Sequence, residues 1–290
     1  MNVTRTGAAD ANVPGVFTTR DSNPITSRRI IVGIILAMIG FASVIFPAIF
    51  YAFVLAIGLA SLYELNYLCK IKGQELEYPV AIIGVVAYIG LAVFDELHKW
   101  EGALLAGIVI ATFWLGMYGE QKGYFARTAY TLLAVLYIGK LLTYWVFIRE
   151  IPVTGLWLTL YGCVMIAFTD IFGMVIGTFI GRHPLTKVSP KKTIEGSLGS
   201  LLLVAATAAA LAIFPQLHLL WWQGAAIGAI TSIAAQAGDL AESSLKRDAG
   251  VKDTGSMIQG HGGVLDRFDS YLFGGMAFFG ALHLLGILSV

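Results

Sequence analysis

Residues 154–181 read TGLWLTLYGCVMIAFTDIFGMVIGTFIG, 28 residues with a single charged side chain, Asp170. About 18 apolar residues suffice for a helix to cross a hydrocarbon core of about 30 Å. This stretch is therefore read as a membrane span, and comparable runs recur along almost the whole chain. Nine are expected, at about 30–46, 50–69, 79–95, 102–118, 128–148, 154–181, 199–214, 218–238 and 271–288. Pro47 separates the first two and Phe214-Pro215 the seventh and eighth. Several connections are only a few residues long, so neighbouring helices should pack antiparallel. Composition agrees, with 57% hydrophobic and 13% charged residues and a mean hydropathy of +0.77, well outside ordinary soluble domains. The expected fold class is an all-α polytopic integral membrane protein. A net charge of +1 with no separate basic domain gives no footing for a nucleic-acid partner.

The positive-inside rule orients the spans. With the N-terminus cytoplasmic, the inside segments 1–29, 70–78, 119–127, 182–198 and 239–270 hold sixteen of the nineteen Lys and Arg. The outside segments hold Lys99 and Arg149, and Lys140 falls within a span. An extra or missing helix would scramble that asymmetry. The chain then divides into a polar, disordered cytoplasmic segment at 1–29, transmembrane helices over 30–150, and a second transmembrane region over 151–290. That last region carries two long cytoplasmic loops, 182–198 and 239–270. Arg28-Arg29 leads into a span too long for the h-region of a secretory signal. Cys69 and Cys163 lie in or beside apolar runs and make no disulfide framework. No internal repeat is visible, which counts against a transporter built from duplicated halves.

Ionisable residues inside a membrane are costly and point to function. Glu64 either serves function or snorkels at a helix end, pairing with Lys70 or Lys72. Lys140 suits an intramembrane partner such as a carboxylate. His218 and His283 sit near span ends, where interfacial packing is expected. Asp170 shares a helix face with Gly173, Gly177 and Gly181, a strip that admits either a close neighbouring helix or a ligand.

The first long loop, RHPLTKVSPKKTIEGSLG, breaks at Ser189-Pro190 and supplies Lys191 and Lys192. Thr193 and Glu195 can cap the next helix, whose free N–H groups beside two lysines could hold an anion. In the second, AGDLAESSLKRD places Asp239, Glu242, Ser243 and Lys246 on one helix face at a membrane exit. GHGGVLDRFDS then brings a glycine turn around His261, with Asp266 and Asp269 three residues apart beyond it. Carboxylates converging from separate helix ends suit a hard divalent cation such as Mg²⁺. The lysines and arginines suit phosphate oxygens, and glycines let backbone amides close around them. These residues together point to cytoplasm-facing, Mg²⁺-dependent handling of phosphates.

Ser243-Ser244-Leu245-Lys246-Arg247, Lys252-Asp253 and His261-Gly262-Gly263-Val264-Leu265-Asp266-Arg267-Phe268-Asp269 resemble the signature of the phosphatidate cytidylyltransferases, or CDP-diacylglycerol synthases. Gly238-Asp239-Leu240, Glu242 and the upstream Ser189-Pro190-Lys191-Lys192-Thr193 with Glu195-Gly196 are similar too. The resemblance covers about 160–270 with specific motifs and extends loosely to the whole chain. It implies a nucleotidyltransferase that joins CTP to phosphatidate, giving CDP-diacylglycerol and pyrophosphate for phospholipid biosynthesis in a bacterial cytoplasmic (inner) membrane. By that resemblance Asp239 and Asp266 would hold the catalytic Mg²⁺, with or without a second cation such as K⁺, and Asp269 would support them. Lys246 and Arg247 would grip CTP phosphates, with Lys252, His261, Gly262, Gly263 and Arg267 around them. Ser189, Lys191, Lys192 and Thr193 would line the approach of nucleotide or lipid phosphate. Asp170 with its glycine strip would form one wall of a lipid groove, and a homodimer is implied. Two positions depart from the pattern. Gln259 stands where Pro or Gly is usual, and Gly173-Met174 replaces an Ala-Tyr after Asp170. The alternatives are a CTP-dependent kinase acting on a polyprenol or similar lipid alcohol, and a cation-coupled transporter using Asp170, Lys140 and Glu64.

Overall fold

The computed structural model describes residues 38–118, 122–255, 257 and 262–288. Within them the regular elements are helices, and Pro184 and Thr193 pair in an isolated antiparallel β-bridge. Residues 38–45 are helical, and Phe46 then takes an extended conformation with Pro47 opening the next helix. Proline suits that first position because its missing N–H has no partner there in any case. Eight long helices follow: α1 (Pro47–Ile71), α2 (Tyr78–Val93), α3 (Leu97–Met117), α4 (Tyr124–Glu150), α5 (Gly155–Ile180), α6 (Ile194–Leu211), α7 (Trp221–Asp248) and α8 (Leu265–Leu284).

Five of these, α1, α3, α4, α5 and α6, are long and apolar enough to cross a membrane. α2 is apolar but has only 16 residues. Ile83, Met174, Phe179 and Leu202 stand exposed on the flanks of α2, α5 and α6. Such side chains are solvated by lipid tails better than by water, and the protein is an integral membrane one.

The main departure from the expected boundaries concerns the two helices that enter the second polar loop. The apolar run at 218–238 ends, yet α7 continues ten residues further to Asp248. Ala, Glu, Leu, Lys and Arg between 240 and 247 are all good helix formers, so the helix has no reason to stop where its apolar face does. Likewise α8 begins at Leu265, six residues before the expected span. The charged residues at 239–246 and 266–269 thus ride on regular helix, as their spacing predicts, although both helices reach beyond the apolar runs.

The most extensive contacts run α5–α6–α7–α8, and α8 also packs on α1 and the end of α4. Small residues allow the closeness. A Cβ at Gly228 of α7 would lie 3.1 Å from the Val204 carbonyl of α6, and one at Gly238 would lie 2.6 Å from the Asp269 carbonyl of α8. The core between helices holds Tyr88, Ile138, Met165, Ile166, Ile227, Leu272 and Phe278, all essentially inaccessible. The Trp145 indole donates to the Tyr271 carbonyl at 2.9 Å, fixing α4 to α8.

Lys140 closes a π-helical turn, Val135–Lys140, inside α4 and reaches Glu101 of α3 at 2.5 Å. A carboxylate partner is what the sequence suggests for Lys140, although Glu101 stands near the start of α3, just before the span expected at 102–118, and is partly exposed. Lys72 pairs instead with Asp248, and Glu64 meets neither Lys70 nor Lys72 but a distant loop described below. The His283 ring lies edge-on against Phe279, in keeping with interfacial packing.

Candidate active site

The first loop is shaped by its own residues. Leu185 N–H donates to the Lys192 carbonyl at 2.7 Å and Ile194 N–H to the His183 carbonyl at 2.9 Å, forming a short closed hairpin. Thr193 takes extended backbone geometry and its hydroxyl accepts from Gly196 N–H at 3.1 Å, capping α6. Glu195 accepts from the N–H groups of Arg182 and His183 and meets the His183 ring at 2.6 Å. Thr193 thus caps α6 as the sequence predicts, whereas Glu195, expected to do the same, turns away from its own helix to the backbone that follows α5.

The strip beside Asp170 has a definite occupant. A Cβ on Gly196 would sit 2.7 Å from the Gly173 carbonyl and 3.1 Å from Gly177 Cα. Gly173 and Gly177 therefore let α6 approach α5, and they do not line an open groove. Asp170 itself is exposed at this crossing, within electrostatic reach of Asp239, Lys192 and Arg267.

The hairpin presents Lys192 to α7, where its ammonium pairs with Asp239; both side chains are about three-quarters buried. One turn on, Ser243 donates to Asp239 at 3.3 Å. Lys246, a further turn along the same face, binds Asp266 of α8 at 2.7 Å and also Glu242. Glu242 is wholly buried, and neither of its oxygens receives a well-formed hydrogen bond among the described residues. Burial holds its carboxyl at about 9, against the pull of Lys246 and with the help of Asp266 and Asp269. Asp266 goes the other way. Burial opposes its ionisation, but Glu242, Lys246 and the Gly263 N–H together hold it below its ordinary value. Asp269, buried on the next turn of α8, lies within reach of Asp239, Asp170 and Lys246.

The described residues of the second loop are held by groups on α1 and α8. Asp266 Oδ2 accepts from Thr254 N–H at 3.0 Å and Gly263 N–H at 2.7 Å. Gly262 has φ +87°, and a Cβ there would meet Asp266 Oδ2 at 2.7 Å, so glycine is needed twice over. On the other side Glu64 of α1 accepts from Thr254, Val264 and Leu265.

The expected site residues thus fall into three groups. Asp170, Lys192, Asp239, Lys246, Asp266 and Asp269 come together where α5, α7 and α8 meet the first loop. Thr193, Gly262 and Gly263 shape that place. Arg247 turns aside, donating to the Val251 carbonyl at 2.9 Å beyond the end of α7, and Lys191, Lys252 and Arg267 are exposed. Ser189 N–H donates to Thr186 at 3.2 Å within the first loop. Gln259 and His261 lie outside the described residues. Two residues went unassigned in the sequence reading. Glu64 gave no signal beyond its intramembrane position. Tyr137 sits in the π-helical turn with a buried hydroxyl that has no hydrogen-bond partner among the described residues, within reach of Asp269, Glu242 and Asp239. Its irregular turn is the kind often found at functional sites, but nothing in the sequence marks it.

Five carboxyl groups, Asp170, Asp239, Glu242, Asp266 and Asp269, face three cations, Lys192, Lys246 and Arg267. All the donors are hard oxygens, and Glu242 has buried oxygens without good hydrogen bonds. Such a set fits Mg²⁺. No three of these groups converge into a ready-made cage among the described residues.

Residues 27–285 match the family model described as "Cytidylyltransferase family". A Bacillus subtilis protein is 32% identical over 253 residues, covering 85% of this chain and 93% of its own length. One from Staphylococcus epidermidis is 32% identical over 229 residues, 77% of this chain and 85% of its own. One from Synechocystis sp. is 35% identical over 210 residues, 62% of this chain and 68% of its own. All three are named phosphatidate cytidylyltransferase.

Proposed function

The chain belongs to the cytidylyltransferase family, and from that premise we propose that it transfers CMP from CTP to phosphatidate, releasing pyrophosphate and forming CDP-diacylglycerol. The observation that carries this reading is the paired arrangement Lys192–Asp239 and Lys246–Asp266, set where α5, α7 and α8 meet the first loop. A water-soluble triphosphate and a lipid phosphate need such a place, half polar and half in the bilayer.

A phosphate oxygen of phosphatidate attacks the α-phosphorus of CTP, and the bond to the β-phosphate bridging oxygen breaks. The nucleophile is already anionic, so no general base is required. Catalysis then rests on positioning and charge neutralisation. Lys192 and Lys246 exchange their carboxylate partners for phosphate oxygens as substrate binds, with Arg267 close by. Asp239 and Asp266, freed from those lysines, are the residues that would hold Mg²⁺, with Asp269 behind them; bound Mg²⁺ supplies charge neutralisation at the triphosphate. A second cation such as K⁺ would sit at the same carboxylates.

The strong Lys/Arg asymmetry supports a cytoplasmic N-terminus, nine spans and a site on the cytoplasmic face of the cell membrane. Homodimerisation is carried over from the family resemblance. The test uses purified protein with phosphatidate and Mg²⁺, plus an EDTA control. CTP is labelled in the cytidine for one assay and in the γ-phosphate for another. Cytidine label in the lipid is the expected result. Transfer of the γ-phosphate alone would replace this reading with a lipid kinase.

A further inference from the structure

α1 contributes a buried carboxylate to a loop two hundred residues further along the chain. Glu64 is 1% exposed. Its Oε2 accepts from the Thr254 hydroxyl at 3.0 Å and the Leu265 N–H at 2.8 Å, and its Oε1 accepts from the Val264 N–H at 2.8 Å. The N–H groups at the start of a helix have no partner within it. No local side chain caps α8, so Glu64, from another helix, fills that role and places its charge at the positive end of α8.

The same junction is gripped from the opposite side by Asp266. Thr254 gives its hydroxyl to Glu64 and its N–H to Asp266. Gly263 gives its N–H to Asp266, while the next N–H, of Val264, goes to Glu64. Asp266 Oδ2 is thereby consumed by loop amides and Oδ1 faces Lys246 at 2.7 Å. Two glycines leave room for the arrangement. A Cβ at Gly255 would meet Glu64 Oε1 at 2.9 Å, and one at Gly263 would press still closer on Glu64 and Thr254. Two turns along α1, Lys72 pairs with Asp248 at the end of α7, so one helix ties down both approaches to this loop.

We propose that Glu64 is a positioning residue for Asp266. It fixes the start of α8 and the turn at Thr254, and so sets where the Asp266 carboxylate stands relative to Lys246. Glu64 touches no reacting atom. The inference rests on the cytidylyltransferase reading for its kinetic consequence, but its structural part stands apart from that reading.

The test is Glu64→Gln in the full-length protein. The amide keeps one acceptor but turns N–H groups toward donors, so the junction loosens. Amide hydrogen exchange at 262–266 should quicken, while exchange at 183–193 stays as in the parent protein. The turnover number should fall by about 100-fold, the scale set by a misplacement of about 1 Å. Half-saturating Mg²⁺ should rise several-fold, and the KM for phosphatidate should hold. Glu64→Asp, which keeps the carboxylate, should recover part of the loss. Thr254→Val, a milder change that deletes one donor, should move the same readouts in the same direction and serves if Glu64→Gln does not fold. Unchanged exchange at 262–266 and unchanged Mg²⁺ dependence in Glu64→Gln, or in Thr254→Val if that variant alone folds, would overturn the inference. A parent protein that transfers no cytidine would sink the functional reading instead, and the exchange data would still decide for or against Glu64.

Discussion

The two polar loops differ in construction. The loop at 181–193 is held by its own backbone pairs, by the Thr193 cap and by the Glu195 carboxylate, all within fifteen residues of one another. The loop at 249–264 has its decisive partners elsewhere, in Glu64 of α1 and Asp266 of α8. One therefore delivers its lysine as a finished local unit. The other is shaped only once three helices have packed. A change in the first should stay local, whereas a change in the second should spread through the site.

The largest effect is expected from Asp266→Asn, which removes a charged partner of Lys246 and an anchor of the second loop together. Turnover should drop by about 10²–10³-fold, as for loss of a single preorganised charge-stabilising group, and near-normal CDP-diacylglycerol synthesis by this variant would break the assignment. Next comes Lys192→Ala. Its hairpin is maintained by backbone hydrogen bonds, so folding should be unaffected. Loss of one charge-assisted contact, about 1.5–3 kcal/mol, should raise the KM for CTP by roughly 10–100-fold. A KM within twofold of the parent value would take Lys192 out of the nucleotide site.

A smaller effect is expected from Thr193→Ala. Losing an N-cap costs about 1 kcal/mol, visible as a fall of a few degrees in the melting temperature, with exchange at 262–266 unaltered. If exchange there did quicken, the two loops would not be independent. Lys72→Ala should do least, since its partner Asp248 is well exposed and such pairs contribute no more than about 1 kcal/mol. Its activity should remain within twofold. A large loss would mean that the end of α1 matters as much as Glu64.

The difference between the loops also accounts for what could be read in advance. The helix-face spacing of Asp239, Glu242, Ser243 and Lys246 follows from 3.6 residues per turn, and these residues do line one side of α7. The capping of α6 by Thr193 was equally legible, since that contact spans three residues, while the turn of Glu195 back to Arg182 and His183 was not. The glycine strip beside Asp170 was ambiguous between a ligand wall and a helix crossing, and only the position of α6 resolves it. Apolarity marks the end of the expected span at 238, while the helix-face spacing already carries α7 on to Lys246, close to its end at Asp248.

Glu64 and Lys140 show where local reading stops. Each stood out as a charge within an apolar run, and that much follows from the cost of burying it. Their partners, Val264 and Leu265 N–H in one case and Glu101 in the other, depend on which helices lie side by side. The linear pattern of apolar runs, caps and charge asymmetry determines that this chain is a helical membrane protein with its charged residues gathered in a few polar segments. It does so because helix formation and membrane partition are set by contacts a few residues apart or by bulk hydrophobicity. The packing of α1 against the start of α8 decides where Asp266 stands, because a carboxylate and an amide two hundred residues apart meet only through tertiary structure.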